Sequence, residues 1–132
     1  FERGTSIETN IAHGAHVNGD PDQLERLVKT LIDNACKYAS VGSTVTVRLE
    51  RHAGTLTLSV NNAGEPIPEE DLPHVFDRFY RSDKARARST GGFGLGLAIA
   101  RGIAESHGGR IDVTSDAKRG TTFTVTLREA RE

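Results

Sequence analysis

The sequence is poor in several residue types that define protein classes. Its 132 residues include a single cysteine, Cys36, and neither methionine nor tryptophan. One cysteine excludes a disulfide framework and a cysteine-rich zinc site. No apolar run approaches the roughly 20 residues that a membrane-spanning helix requires. The formal net charge of −1 creates no overall field that would favour nucleic acid or an acidic membrane, so we expect the domain to bind neither.

The length suits one domain with one hydrophobic core. We therefore predict a single domain over residues 1–132. The chain begins with Phe1 rather than with methionine, and we expect it to be a segment excised from a longer protein.

Two segments have the apolar spacing of helices. Asp20-Pro21-Asp22-Gln23 predicts a helix start, because Asp suits the N-cap, Pro suits the first helical position and Gln can close a capping box. The apolar stripe behind it predicts a helix to about Ala39. A second stripe, from Leu95 to Ile103, predicts a helix that stops at His107-Gly108-Gly109.

Other segments alternate apolar and polar residues, which predicts strands. They are residues 43–50, 55–60, 111–113 and 123–127, with less regular candidates at 5–11 and 16–18. Such alternation leaves one face of an antiparallel sheet apolar. The predicted fold class is α/β (α+β): a two-layer sandwich with a mixed, mostly antiparallel sheet and helices packed on one face.

A long loop region, with one short helix near Glu69–Phe79, is predicted over residues 61–93. It ends in Gly91-Gly92-Phe93-Gly94-Leu95-Gly96-Leu97, directly before a helix. Glycines allow the backbone to approach a ligand closely, and the free N–H groups at a helix start attract phosphate. On this segment alone, a flexible hinge and a phosphate cradle stay equally open.

One flank of the first helix carries polar groups beside the apolar stripe. Thr30, Asn34, Lys37 and Tyr38 share it at helical spacing. Mg²⁺ often takes only one or two protein oxygens and completes its shell with water and substrate phosphates. Asn34 could supply such an oxygen, Lys37 a charge opposite phosphate and Tyr38 a wall beside a base. From these residues alone, a solvated helix edge with Tyr38 on the rim of the core is the favoured interpretation.

Four segments together resemble the signature boxes of sensor histidine kinases. Residues 31–38, LIDNACKY, are similar to the N box, and residues 61–68, NNAGEPIP, to the first glycine box. Residues 75–83, VFDRFYRSD, resemble the F box, and residues 92–97, GFGLGL, the second glycine box. Their order and spacing match the family over residues 22–107. The resemblance implies a catalytic ATP-binding domain with the Bergerat fold of gyrase, mismatch-repair and chaperone ATPases, and a lid loop over about residues 77–93.

Position by position, the resemblance implies a binding set for ATP and Mg²⁺. Asn34 matches the metal ligand, Lys37 and Arg81 match phosphate contacts, and Tyr38 matches a contact beside adenine. No residue receives a certain catalytic role. The full set is Asn34, Lys37, Tyr38, Asn62, Gly64, Ile67, Arg81, Gly92, Gly94, Leu95, Gly96 and Leu97.

Two residues depart from the family pattern. Asn62 stands where an aspartate usually accepts a hydrogen bond from the adenine amino group, and an amide oxygen lacks the charge that strengthens such a bond. Pro66 replaces the second glycine of its box, fixes φ and removes an N–H donor. Both changes are expected to weaken nucleotide binding without removing a metal or phosphate ligand.

None of the five histidines lies in the family's phospho-acceptor pattern. His13 and His16 lack a third metal ligand nearby, His74 has no obvious acid partner, and His107 suits a helix C-terminus. The resemblance therefore implies that the acceptor histidine belongs to a separate helical dimerisation domain upstream.

The implied function is a protein-histidine kinase catalytic domain in two-component signalling. It would bind Mg-ATP and present the γ-phosphate to the upstream histidine. A response regulator would be reached through the full-length kinase, and the domain would be a cytoplasmic part of a membrane-anchored bacterial kinase. The alternatives are a serine kinase or a degenerate nucleotide-binding scaffold of the same fold, and an ATP-hydrolysing machine. The last is disfavoured because Thr30 stands where related ATPases carry a glutamate that activates water.

Overall fold

The computed structural model describes residues 6–12, 14–78 and 96–130. Within these ranges five strands form one sheet, and two α-helices pack on one face of it. In chain order they are β1 (Ser6–Ile11), α1 (Pro21–Tyr38), β2 (Thr44–His52), β3 (Thr55–Asn62), α2 (Gly96–Ser106), β4 (Arg110–Asp116) and β5 (Gly120–Arg128).

The sheet has the strand order β1-β2-β3-β5-β4. β1 runs parallel to β2, whereas the other three neighbouring pairs are antiparallel. This arrangement confirms the mixed, mostly antiparallel sheet that the alternation predicted. In the register of β3 and β5, Asn62 lies opposite Thr121, and this pairing brings the end of β3 beside the start of β5.

The hydrophobic core lies between the sheet and the two helices. α1 contributes Leu27, Leu31 and Ala35, which are fully buried or nearly so. The apolar faces that the helical and strand periodicities predicted thus meet in one core layer. The other buried apolar side chains come mainly from α2 and from the inward-facing strand positions, and include Leu97, Ala100, Ile103, Ala104, Val45, Val47, Val60, Phe123 and Val125.

The start of α1 follows the predicted cap in one respect and departs from it in another. Asp20 is the N-cap, and its carboxylate accepts hydrogen bonds from the N–H groups of Asp22 and Gln23 at 2.9 and 3.2 Å. The reciprocal bond of a capping box is not formed. The Asp20 N–H donates instead to Nε2 of His107 at 3.1 Å, so the capping-box prediction for Gln23 was wrong.

One other local prediction was wrong, because residues 16–18 form no strand. The short helix predicted near Glu69–Phe79 is present as a single 3₁₀ turn, Leu72–His74. Pro73 lies inside that turn and cannot donate the backbone hydrogen bond that an α-helix requires. The carbonyl of Pro68 accepts the N–H groups of Asp71 and Leu72 and closes the turn that precedes the 3₁₀ helix.

Replacing Leu31 with alanine should destabilise the domain strongly. Leu31 has 0% exposure at the centre of the helix–sheet interface, so the substitution leaves a cavity. The expected loss is about 2–5 kcal/mol in the free energy of unfolding, measured by chemical denaturation. Val41→Ala is the control, because Val41 is 77% exposed and its truncation should change stability by less than about 0.5 kcal/mol. Equal losses in the two variants would contradict the assignment of the core.

Candidate functional site

The C-terminal half of α1 carries three of the predicted site residues. Asn34 is half-buried, and its side-chain amide has no hydrogen-bond partner within the described ranges. Lys37 is exposed, and its Nζ lies 5.5 Å from the centroid of the Tyr38 ring. Helical spacing therefore places an amide, an ammonium group and an aromatic ring along one edge of α1.

Asn62 ends β3 and is almost completely buried, with 3% exposure. Its Nδ2 donates to the carbonyl oxygen of Ala63 at 3.2 Å. Turning the amide over would set two oxygens against each other, so this contact fixes the orientation of the group. Asn62 therefore keeps Oδ1 as an acceptor directed away from the Ala63 carbonyl.

The segment after β3 is held closely against the end of α1. Ser40 N–H donates to the Ala63 carbonyl at 2.9 Å. A Cβ on Gly64 would lie 2.5 Å from the carbonyl oxygen of Tyr38, closer than any side chain tolerates. Gly64 therefore permits the approach that brings Asn62 beside Tyr38. Asn62 Nδ2 and the backbone carbonyl of Tyr38 both lie near this position, so the end of β3 adjoins the end of α1.

The N-terminal end of α2 lies beside the same helix. A Cβ on Gly96, the first residue of α2, would lie 3.5 Å from Cγ2 of Thr30. Thr30 is one helical turn before Asn34, so the start of α2 adjoins the polar flank of α1. Leu97 points into the core with 2% exposure, and its side chain anchors α2. Only its backbone can face a ligand.

A hydroxyl network fixes the loop that contains Ile67. The Ile67 N–H donates to Ser115 Oγ at 2.9 Å, and Ser115 Oγ lies 2.7 Å from Thr121 Oγ1. Thr121 is 6% exposed and lies opposite Asn62 in the sheet. Neither Ser115 nor Thr121 was predicted as a site residue. A signal was present, because Thr121 falls on the inward face with Phe123, where a polar residue needs a partner.

Part of the predicted set cannot be placed. Arg81, Gly92, Gly94 and Leu95 lie outside the described residues, as does nearly all of the predicted lid over 77–93. These assignments stay predictions.

The expectation for His74 was wrong. Its Nδ1 lies 2.9 Å from Oδ2 of Asp77, so an acid does pair with it. Both side chains are about half exposed, and the pair follows from the spacing of three residues across a turn. Among the described residues no group of three or more histidine, cysteine or acidic side chains is placed to hold a metal ion.

Comparison with known proteins identifies the family of this fold and site. Residues 19–131 match the model of the histidine kinase-, DNA gyrase B- and HSP90-like ATPase family. The chain is 42% identical over 126 residues to the sensor histidine kinase CusS of Escherichia coli K12 and 44% identical over 114 residues to WalK of Bacillus subtilis. These matches cover 96% and 85% of this chain, but only 26% of CusS and 19% of WalK.

A solved structure shows the same architecture. The mycobacterial sensor histidine kinase MprB superposes with a TM-score of 0.83 at 30% identity, and the match covers 98% of this chain and 85% of that one. The chain thus belongs to the histidine kinase-, gyrase B- and HSP90-like ATPase family, as a catalytic ATP-binding domain of the sensor histidine kinase class. Neither described helix is long and apolar enough to cross a membrane.

Replacing Gly64 with alanine should disturb the junction between β3 and α1. The added Cβ would meet a backbone oxygen, which cannot rotate away as a side chain can. We expect a loss of about 1–3 kcal/mol in the free energy of unfolding, measured by denaturation. Gly102→Ala is the matched control, because nothing lies within 4 Å of its new Cβ on α2. That variant should be neutral or more stable by about 0.5–1 kcal/mol. An unperturbed Gly64→Ala protein would refute the close approach.

Proposed function

We propose that this domain binds Mg-ATP between the polar flank of α1 and the N-terminal end of α2. The observation that carries the proposal is the close approach of Gly96 to Thr30, where a Cβ added at Gly96 would lie 3.5 Å from Thr30 Cγ2. This approach brings the flank that bears Asn34 beside a helix start. Free N–H groups and the positive end of the helix dipole favour phosphate at such a start. The family assignment supports the same ligand.

The donor groups suit a triphosphate with a bound Mg²⁺. Asn34 offers a half-buried amide oxygen with no partner within the described residues, a hard oxygen ligand of the type Mg²⁺ prefers. Lys37 adds a positive charge one turn further along the helix. When bound, the ion would neutralise phosphate charge and orient the triphosphate. Arg81, Gly92, Gly94 and Leu95 complete this proposed set.

The base is proposed to lie at the other end of the site, beside Asn62, Gly64 and Tyr38. The Ala63 carbonyl orients the Asn62 amide with Oδ1 as an acceptor, which suits the 6-amino group of adenine. Thus the replacement of the usual aspartate keeps the acceptor and loses only its charge. Ile67, held by Ser115, would close the apolar side of the base pocket.

The domain is proposed to position ATP for a reaction that a second domain completes. A histidine nitrogen on an upstream helical dimerisation domain would attack the γ-phosphorus, the bond to the β-phosphate oxygen would break, and ADP would leave. Positioning and charge stabilisation supply most of the catalysis in such transfers. The chain covers 26% of CusS, so a full-length kinase has ample length for that domain. We further propose a membrane-anchored bacterial kinase with this domain on the cytoplasmic side and a response regulator as the next acceptor.

Hydrolysis is the less favoured activity. Thr30 presents its methyl group towards Gly96, and a threonine hydroxyl cannot act as a general base at neutral pH. Asp33 is exposed and points about 100° around the helix from Asn34, away from the flank that would face the phosphates. Transfer to a histidine needs no water-activating carboxylate, so the site fits transfer better.

Replacing Asn34 with alanine should remove the Mg²⁺-dependent part of nucleotide binding. Loss of an outer-shell group typically lowers metal affinity by about 10- to 100-fold, and we expect loss of a direct ligand to lower it at least as much. The measurement is titration of a fluorescent ATP analogue with and without Mg²⁺. Asp33→Ala is the matched control on the neighbouring residue and should bind as the parent does. If the two variants behaved alike, Asn34 would not be the ligand.

The same substitution tests phosphotransfer in the full-length kinase. Labelled ATP should give an acid-labile, base-stable product in the parent protein and none in the Asn34→Ala variant, because phosphohistidine has that stability. An acid-stable product would instead support a serine kinase. Failure of the parent chain to bind nucleotide at millimolar concentration would support a degenerate scaffold.

Replacing Asn62 with alanine should reduce the preference for adenine. ATP affinity should fall about three- to tenfold, the effect of losing one hydrogen bond. Affinity for ITP should not change, because hypoxanthine has no 6-amino group to donate to Oδ1. Competition binding of both nucleotides measures the ratio, and a thermal melt checks that the variant stays folded. Equal losses for ATP and ITP would contradict the assigned contact.

A further inference from the structure

His107 connects two helices whose sequences lie far apart. Its Nε2 accepts the hydrogen bond from the N–H of Asp20, the N-cap of α1, at 3.1 Å. Its Nδ1 lies 2.8 Å from the carbonyl oxygen of Ile103 in the last turn of α2. The imidazole therefore bridges the C-terminal end of α2 and the N-terminal end of α1.

Ser106 Oγ also lies 3.3 Å from Nδ1, and this hydroxyl donates to the Ile103 carbonyl. The contacts of the ring with Ile103 and Asp20 assign a role to each nitrogen. A carbonyl oxygen cannot donate, so Nδ1 must carry a proton to bond Ile103. A backbone N–H cannot accept, so Nε2 must carry none to bond Asp20. In this bridge the ring therefore donates from Nδ1 and accepts at Nε2.

Gly19 makes room for this bridge. A Cβ at position 19 would collide with Cδ2 of His107 and lie 2.5 Å from its Nε2. The ring is rigid and held by hydrogen bonds on both nitrogens, so it cannot move aside without breaking them. The hydrogen-bonded bridge made by His107 therefore requires glycine at position 19.

The bridge lies at the end of the helix pair opposite the proposed phosphate site. Asp20 and Thr30 are about 15 Å apart along α1, and Gly96 and His107 are about 16 Å apart along α2. Asp20 bonds His107 at one end of α2, whereas Gly96, at the other end of α2, lies close to Thr30 in the middle of α1, so the two helices run antiparallel. The bridge at the far end thereby limits how α2 can slide or rotate past α1.

We propose that His107 is a positioning residue for the nucleotide site: its bridge to Asp20 holds the start of α2 in register with the flank that carries Asn34. This inference rests on the proposed function for its effect on ATP. The bridge itself, and its influence on Gly96, can be measured without any nucleotide.

The first experiment uses NMR on the nucleotide-free 132-residue chain to measure the protonation of the two His107 ring nitrogens and the amide signal of Gly96 at the start of α2. Nitrogen-15 shifts should show a protonated Nδ1 and an unprotonated Nε2 at His107. His107→Phe keeps a ring but removes the acceptor, and it should shift the amide signals of Asp20 and also of Gly96. A ring protonated on Nε2, or a Gly96 signal unchanged in the variant, would overturn the proposal.

The second experiment measures Mg-ATP affinity in matched variants. His107→Phe should weaken binding about three- to tenfold. His107→Gln retains an acceptor near the Nε2 position and should recover most of that loss, whereas a purely space-filling role would give the reverse order. Gly19→Ala should imitate His107→Phe, and the double variant should be no weaker than either, because both break the same bridge.

His16→Phe is the control, since the His16 side chain is exposed and outside the bridge. It should bind Mg-ATP as the parent does. Additive losses in the Gly19 and His107 variants, or no loss in His107→Phe, would refute the proposal. If the parent binds no nucleotide, the proposed function fails, and the NMR measurement on Gly96 alone decides whether His107 positions α2.

Discussion

The antiparallel packing of α1 and α2 on one face of the sheet is the constraint on which the candidate site depends. Both helices are held there by apolar faces, with Leu31 and Leu97 in one core. Because the pair is antiparallel, the polar flank of α1 meets the start of α2 instead of its end. A helix start favours anions and a helix end repels them. The direction of the two helices therefore decides which ligand charge this surface accepts.

The end of the candidate site that is proposed to hold the base depends on a different interaction, the close backbone approach at Gly64. Any larger residue would separate the end of β3 from the C-terminus of α1 and move Asn62 away from Tyr38. Gly120 plays a similar part on β5, where a Cβ would collide with the backbone of Asn62. The bond from Nδ2 to the Ala63 carbonyl holds the Asn62 side chain in one orientation, and Gly120 lets β5 approach the backbone of Asn62.

Periodicity predicted the parts of the fold that local sequence controls. The stripe from Leu24 to Cys36 and the alternation around Val45 and Phe123 were confirmed as α1, β2 and β5. The failures involve contacts between distant residues. Gln23 was expected to close the cap of α1, but His107, 87 residues from Asp20, supplies the acceptor. The local sequence does not specify this partner, because Asp20 is also an ordinary N-cap residue and a histidine such as His107 is also common at a helix C-terminus.

The residues of the candidate site likewise fall into those that local sequence predicted and those that depend on contacts between distant segments. Spacing on one helix was enough to group Asn34, Lys37 and Tyr38, since helix geometry fixes their relative positions. The role of Thr121 was missed, because it depends on the register between β3 and β5 and on the hydroxyl of Ser115. A residue whose function follows from its own element can be predicted from sequence, whereas one that acts across elements requires the assembled sheet. In its proposed role His107 belongs to the second group, and its distance from the proposed phosphate site explains why a site defined only by ligand contacts would omit it.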